Sequence, residues 1–114
     1  MDINSEWEIS VQDTKGLLDR QGEFLLLDCR QPEEFQIARI AGAHLVPLPD
    51  LPAKVDEIRT KASGKTVVVH CHHGGRSLQA AALLRKAGLP GVKSMAGGID
   101  AWSMLIDPTV PRYM

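Results

Sequence analysis

Four consecutive apolar side chains, Phe24, Leu25, Leu26 and Leu27, followed at once by Asp28, constrain this chain more than any other feature. A strand with one wetted face alternates apolar and polar residues. An uninterrupted run is therefore the mark of a strand buried on both faces, as in a parallel sheet covered by helices. Thr66-Val67-Val68-Val69-His70 reads the same way, and its β-branched residues and the glycine-containing turn before it predict the central strand. Residues 7–9, 44–46 and 92–95 are weaker strand candidates.

Helical signals fill the intervals. Ser10, with Asp13 three residues on, is an N-cap opening a helix that stops at Gly22. Pro32 suits a first helical turn, with Glu33 and Glu34 at the positive end of the dipole, and the short helix is expected to run to about Arg39. Leu48, Leu51, Val55 and Ile58 recur at the spacing of one helix face, fraying near Ser63 and Gly64. Ala80, Leu83, Leu84 and Ala87 mark a helix from Ser77 that Gly88 and Pro90 end, and Ile99, Trp102 and Ile106 give a last helix its apolar face. Strands alternating with helices over 114 residues predict one α/β domain across residues 1–114. Its architecture is three layers: a central, mostly parallel sheet of four or five strands with helices on both faces.

Composition removes whole classes of function. A hydrophobic fraction of 44% with 24% charged residues excludes a disordered chain. Thirteen Lys and Arg against fourteen Asp and Glu, with no long run of one sign, leave no electrostatic footprint for nucleic acid or anionic lipid. No apolar run approaches the ~20 residues that cross a bilayer. The acidic first residues are in the wrong order for a secretory signal, so a cytoplasmic location is expected. Two cysteines, Cys29 and Cys71, are too few for the disulfide framework of a small secreted domain, which leaves each buried or reactive.

Chemistry concentrates at Cys71-His72-His73-Gly74-Gly75-Arg76-Ser77, where the strongest strand meets the best helix. In open parallel sheets the carboxyl ends of strands, facing helix N-termini, bind ligands. Gly74 and Gly75 are free to take positive φ and turn successive N–H groups toward one centre, which makes an anion site around the sulfur. The helix dipole, the amides and the Arg76 guanidinium are expected to lower the Cys71 thiol below its usual ~8.5. The resulting thiolate is a nucleophile for sulfur or phosphorus, and the same amides would stabilise the anion that develops.

These motifs resemble the single-domain rhodanese family of sulfurtransferases from about Trp7 to Trp102. L-L-L-D-C-R-Q-P-E-E-F with I-A-G-A-H-L-V-P-L is similar to the family's first signature, C-H-H-G-G-R-S to its active-site loop, and S-M-A-G-G-I-D-A-W to its closing signature. The resemblance implies a persulfide carried on Cys71, cradled by the amides of His72 through Arg76, with Ser77 completing the substrate-binding loop. Sulfur would come from thiosulfate or another small anionic persulfide-type donor and pass to a thiophilic acceptor, with no cofactor. Arg76 is expected to orient the anionic donor, or to pair with a carboxylate at the helix start, and both roles are compatible. His72 and His73 would either contact substrate or sit solvated at the loop tip, making its mouth partly cationic below about pH 6.5. Asp28 and Arg30 are expected to tie the neighbouring loop together structurally, and His70 to be a satisfied core histidine. The C-terminal W-S-M-L-I-D-P-T-V-P-R-Y is similar to the tail of rhodanese domains attached to adenylyltransferases that make protein thiocarboxylates, which implies a protein sulfur acceptor.

Two rivals remain at this level: a catalytically idle module of the same fold that binds a partner, and a phosphatase. Phosphatases of this fold place one residue more between Cys and Arg, and the shorter loop here suits a lone sulfur better than a tetrahedral phosphate. No metal is expected, because His70, Cys71, His72 and His73 are adjacent on one turn and cannot easily converge with Cys29 as a tetrahedron. Cys29 departs from the aliphatic residue usual at its position, and reads as a small hydrophobe at the strand end or as a resolving thiol.

Overall fold

The structure is a computed structural model describing residues 6–20 and 24–113. Five strands, β1 (Glu8–Ile9), β2 (Phe24–Asp28), β3 (His44–Leu45), β4 (Thr66–His70) and β5 (Lys93–Met95), form one sheet in the order β1-β5-β4-β2-β3. Every pairing is parallel. Among the described residues the α-helices are α1 (Val11–Arg20), α2 (Pro32–Ile37), α3 (Leu51–Ala62), α4 (Gly75–Lys86) and α5 (Gly98–Leu105).

The apolar runs are buried on both faces, as a covered parallel sheet requires. Leu25, Leu27, Val67 and Val69 point to one side, where they pack with Leu51 and Ile58 of α3 and Ala80 and Leu84 of α4. Leu26 and Val68 point to the other side, against Val11 of α1 and Ile99 and Trp102 of α5. Burial of each such Leu or Val contributes about 1.5–3 kcal/mol, so these two clusters are the main favourable term in folding. Among the described residues no helix is long and apolar enough to cross a membrane.

Local signals act largely as expected. The Ser10 hydroxyl accepts the Asp13 N–H at 3.0 Å, capping α1; the expected stop at Gly22 lies outside the described residues. α2 ends at Ile37, not Arg39, because Ala38 turns extended and its carbonyl accepts a 2.6 Å hydrogen bond from the buried Arg30 guanidinium. Leu48 belongs to a 3₁₀ turn (Leu48–Asp50) before α3, not to the same helix as Val55. Pro49 and Pro52, which donate no backbone hydrogen bond, mark this two-step start. α4 begins at Gly75, two residues earlier than the apolar periodicity indicates.

The topology selects the site. The chain leaves β2 toward β3 at one edge and leaves β4 toward β5 on the other side, so the strand order reverses between β2 and β4. In open α/β sheets the crevice at that reversal, at the carboxyl ends of the strands, is the binding position. Cys29 follows β2 there, and Cys71 follows β4.

Candidate active site

Cys71 is the first residue of the turn that links β4 to α4. The turn closes because Gly74 takes φ 116°, a conformation that strains any residue with a Cβ. Gly75 does not share it; it is already the first residue of α4. The Cys71 sulfur receives the Gly74 N–H at 3.1 Å and the Ser77 N–H at 3.4 Å, and the Ser77 hydroxyl lies 3.5 Å away. Ser77 Oγ also donates to the Gly74 carbonyl at 3.1 Å and lies 2.6 Å from Ser94 Oγ of β5, where either hydroxyl can be the donor. Among the described residues, then, the amides that reach Sγ are those of Gly74 and Ser77, not the full span from His72 to Arg76. The N–H groups of Gly75 and Arg76 belong to the first turn of α4 and lack intrahelical partners there.

The sulfur is 1% exposed by residue, and burial alone would raise its pKa. The neighbouring Cys29 thiol more than offsets this, followed by the Ser77 hydroxyl and the Ser77 and Gly74 amides, and Cys71 falls to about 4. Cys29 is pushed strongly the other way, first by Cys71 and then by burial, and holds its proton. Both cysteines are free thiols. The largest stabilising influence on Cys71 is thus a neighbour across the sheet, where the dipole, the amides and Arg76 were the sequence-based expectation.

Arg76 grips Glu34 of α2 with two hydrogen bonds, at 2.6 and 2.9 Å. The carboxylate pairing is therefore the role that the structure displays. This pairing holds the Glu34 carboxyl down at about 2, helped by a 2.7 Å hydrogen bond from the Tyr113 hydroxyl. Arg30 reaches Tyr113 Oη at 2.9 Å and is bound to Asp28 through Nε at 2.9 Å and Nη2 at 2.6 Å, with both residues fully buried. Asp28 and Arg30 accordingly form the buried clamp behind the loop, carrying on to Glu34 and Arg76 through Tyr113. Glu34 and Tyr113 were not legible as site residues, because their positions in the sequence carry no signal of this pairing.

The histidines divide. His72 is stacked between Tyr113, with ring centroids 4.0 Å apart, and His73, at 3.9 Å. Burial and then His73 lower its pKa, so it takes up charge only at lower pH than a free imidazole. His73 stands out in solvent with Nε2 3.6 Å from Asp100. His70 is fully buried beside Asp28, at 3.7 Å, and neither ring nitrogen has a hydrogen-bond partner, so this core histidine is buried but not satisfied. Burial lowers its pKa and keeps it neutral. Of the residues weighed for a metal, His70 and Cys29 do not join a cluster. His72, His73 and Asp100 do bring ligand atoms within 4.8 Å of one another, but Asp100 is already held by Arg112 at 2.9 Å.

The closing motif locks the loop from above. Ile99 N–H binds the Cys71 carbonyl at 2.9 Å and Asp100 N–H binds the His72 carbonyl at 3.1 Å. This approach requires Gly98: a Cβ there would lie 2.3 Å from the His72 oxygen and 2.5 Å from the Cys71 oxygen. The three sequence motifs therefore meet at one sulfur, with D-C-R behind it, C-H-H-G-G-R-S around it and G-G-I-D across its backbone.

Comparison with known proteins agrees. Over 109 residues the chain is 37% identical to the adenylyltransferase and sulfurtransferase MOCS3-2 of Zea mays, and over 105 residues 31% identical to the probable adenylyltransferase/sulfurtransferase MoeZ of Mycobacterium tuberculosis. Each alignment takes in 92% of this chain but only 23% and 26% of those proteins. The solved human single-domain sulfurtransferase TSTD1 superposes with a TM-score of 0.74 at 27% identity, covering 86% of this chain and 96% of that one. A rhodanese-related protein from Thermoplasma volcanium superposes with a TM-score of 0.78 at 27% identity, covering 94% and 99%. With residues 10–105 matching the Rhodanese-like domain model, the chain belongs to the rhodanese-like domain family.

Proposed function

We propose that the chain is a sulfurtransferase that carries sulfane sulfur as a persulfide on Cys71, taking it from thiosulfate or a small persulfide and passing it to a thiophilic acceptor. The observation that carries this reading is the Cys71 sulfur itself, faced at the carboxyl end of β4 by the Gly74 and Ser77 main-chain N–H groups, in surroundings that lower its pKa. The thiolate attacks the outer sulfur of the donor, the donor's S–S bond breaks, and sulfite leaves when the donor is thiosulfate. The new outer sulfur carries the negative charge into the first turn of α4, where the unpaired N–H groups of Gly75 and Arg76 suit an anion. An acceptor nucleophile then attacks that outer sulfur and Cys71 departs as a thiolate. Its low basicity makes it a good leaving group. Asp28, Arg30, Glu34 and Tyr113 touch neither donor nor acceptor in this scheme; they fix the walls of the loop.

A protein acceptor is part of the proposal, supported by the likeness to relatives named as both adenylyltransferase and sulfurtransferase. Rapid mixing with thiosulfate followed by acid quench is expected to raise the intact mass by one sulfur atom, removable by cyanide as thiocyanate. Cys71→Ala is expected to gain nothing. Sulfur incorporation that survives that substitution would put the chemistry elsewhere.

A further inference from the structure

Cys29 is the buried nucleophilic group that sulfur transfer does not use, and the sheet brings it to Cys71. β2 and β4 run parallel in register up to Asp28 opposite His70, and the next residues along are Cys29 and Cys71. The ladder continues through that step, since Cys29 N–H donates to the His70 carbonyl at 3.0 Å. Neighbouring strands lie about 4.8 Å apart, inside the Cα separation of roughly 4.4–6.8 Å that a disulfide spans. Both side chains lie in the same core cluster, with Leu27 and Val69, and therefore on the same face of the sheet. Cys29 is also the neighbour that lowers the Cys71 pKa most. Each is 1% exposed, so an external thiol reaches Cys29 with difficulty while Cys71 is its immediate neighbour.

We propose that Cys29 is a resolving thiol that discharges the Cys71 persulfide within the chain, releasing hydrosulfide and leaving a Cys29–Cys71 disulfide. This rests on the reading of Cys71 as the sulfur carrier. Cys29 Sγ attacks Cys71 Sγ, the bond from Cys71 Sγ to the outer sulfur breaks, and the proton of Cys29 leaves with that sulfur as HS⁻. The outer sulfur is reduced to sulfide and Cys29 is oxidised to the disulfide level, so one thiol and one persulfide anion give one disulfide and one hydrosulfide. A dithiol reductant then restores both cysteines. When an acceptor is present it competes for the outer sulfur and transfer proceeds; when none is, the chain empties itself and stops. The activity added is a persulfide reductase, with the dithiol as the electron source.

The test is anaerobic single loading with thiosulfate, read by intact mass, peptide mapping and hydrosulfide trapping. In the wild-type chain the gain of one sulfur is expected to decay to a species lighter than the reduced chain by two hydrogens, with Cys29 mapped to Cys71 and one hydrosulfide released per disulfide. Added dithiol turns that single release into continuous release. In Cys29→Val, and in Cys29→Ser as a second variant, the persulfide is expected to persist at least about ten-fold longer. A wild-type persulfide that lasts as long as in the variants, or decays with no mapped disulfide, overturns the inference and leaves sulfur transfer standing. If neither variant folds, the wild-type map decides by itself. A wild-type chain that gains no sulfur and forms no disulfide overturns both readings.

Discussion

Ser77→Ala isolates one donor at the Cys71 sulfur. It removes the hydroxyl 3.5 Å from Sγ and leaves the Ser77 N–H, the Gly74 N–H and the Cys29 thiol in place. A hydrogen bond to a charged group contributes about 1.5–3 kcal/mol, and about 1.4 kcal/mol corresponds to one pH unit. The lower end applies, because Ser77 is one of several donors. The midpoint of thiolate formation is thus expected to rise from about 4 to about 5 or slightly above. Thiolate ultraviolet absorbance and the rate of iodoacetamide alkylation, each followed against pH, both read that midpoint. At pH 7 the variant and the wild type are both ionised, so sulfur loading changes little; at pH 5 the variant loads more slowly. Ser94 also loses its 2.6 Å partner, and about 1 kcal/mol of stability goes with it, which a thermal melt checks separately. Identical midpoints would show that the hydroxyl serves only the Gly74 carbonyl and Ser94. A rise to the ordinary thiol range would show that Cys29 and the amides contribute nothing.

Gly98→Ala places a methyl group 2.3 Å from the His72 carbonyl oxygen at a backbone φ of 61°. Overpacking and left-handed strain together are expected to destabilise the fold by about 2–4 kcal/mol, measured by urea denaturation, and an unchanged midpoint would remove the closing motif from its clamping role. Glu34→Gln tests the ion pair through acid. A carboxylate lowered to about 2 stabilises the fold at and above its ordinary value of 4.5, and that contribution fades as pH falls from 4.5 through about 2. The variant is therefore expected to be less stable at pH 7 by about 1 kcal/mol, after discounting for the partial exposure of Arg76, and to converge on the wild type as acid is added. A stability gap that stays constant down to pH 2 contradicts the pairing.

The sheet, its helices and the position of Cys71 were legible because each rests on a local signal. Apolar runs announce doubly buried strands, and a glycine pair between a strand and a helix announces a turn. Glu34, Tyr113 and Ser94 were not legible: their partners lie 42, 79 and 17 residues away in sequence, and only the folded sheet sets those distances. Cys29 stood between the two cases. Its departure from the usual aliphatic residue was visible, yet its effect on Cys71 depends on β2 and β4 being register neighbours, which follows from strand order and not from either strand alone. Arg76 shows one of its two expected roles, the carboxylate pairing with Glu34. A guanidinium beside an anion-binding loop reads as a substrate ligand or as a carboxylate partner, and the identity of that carboxylate depends on α2 packing beside α4, which neither segment announces alone.

That paired guanidinium is expected to bear on the choice of donor. Thiosulfate brings two negative charges to a loop already holding a thiolate, and the groups that would welcome them are spent. Arg76 is neutralised by Glu34 at 2.6 Å, His72 is kept uncharged by burial, and His73 stands in solvent beside Asp100. A small persulfide brings at most one charge at its reacting end and needs only the N–H groups of the loop. Persulfides are therefore expected to exceed thiosulfate in kcat/KM by about ten-fold or more, since one uncompensated charge near a protein surface is worth on the order of 1–2 kcal/mol. The same argument fixes the sign of a change in Glu34. Glu34→Gln frees the Arg76 charge while leaving a side chain of the same size, so thiosulfate use should rise several-fold while persulfide use barely moves, and raised salt should shrink the gain. Thiosulfate use that falls in this variant, with the fold intact, would mean that Glu34 positions Arg76 for the donor instead of withholding it.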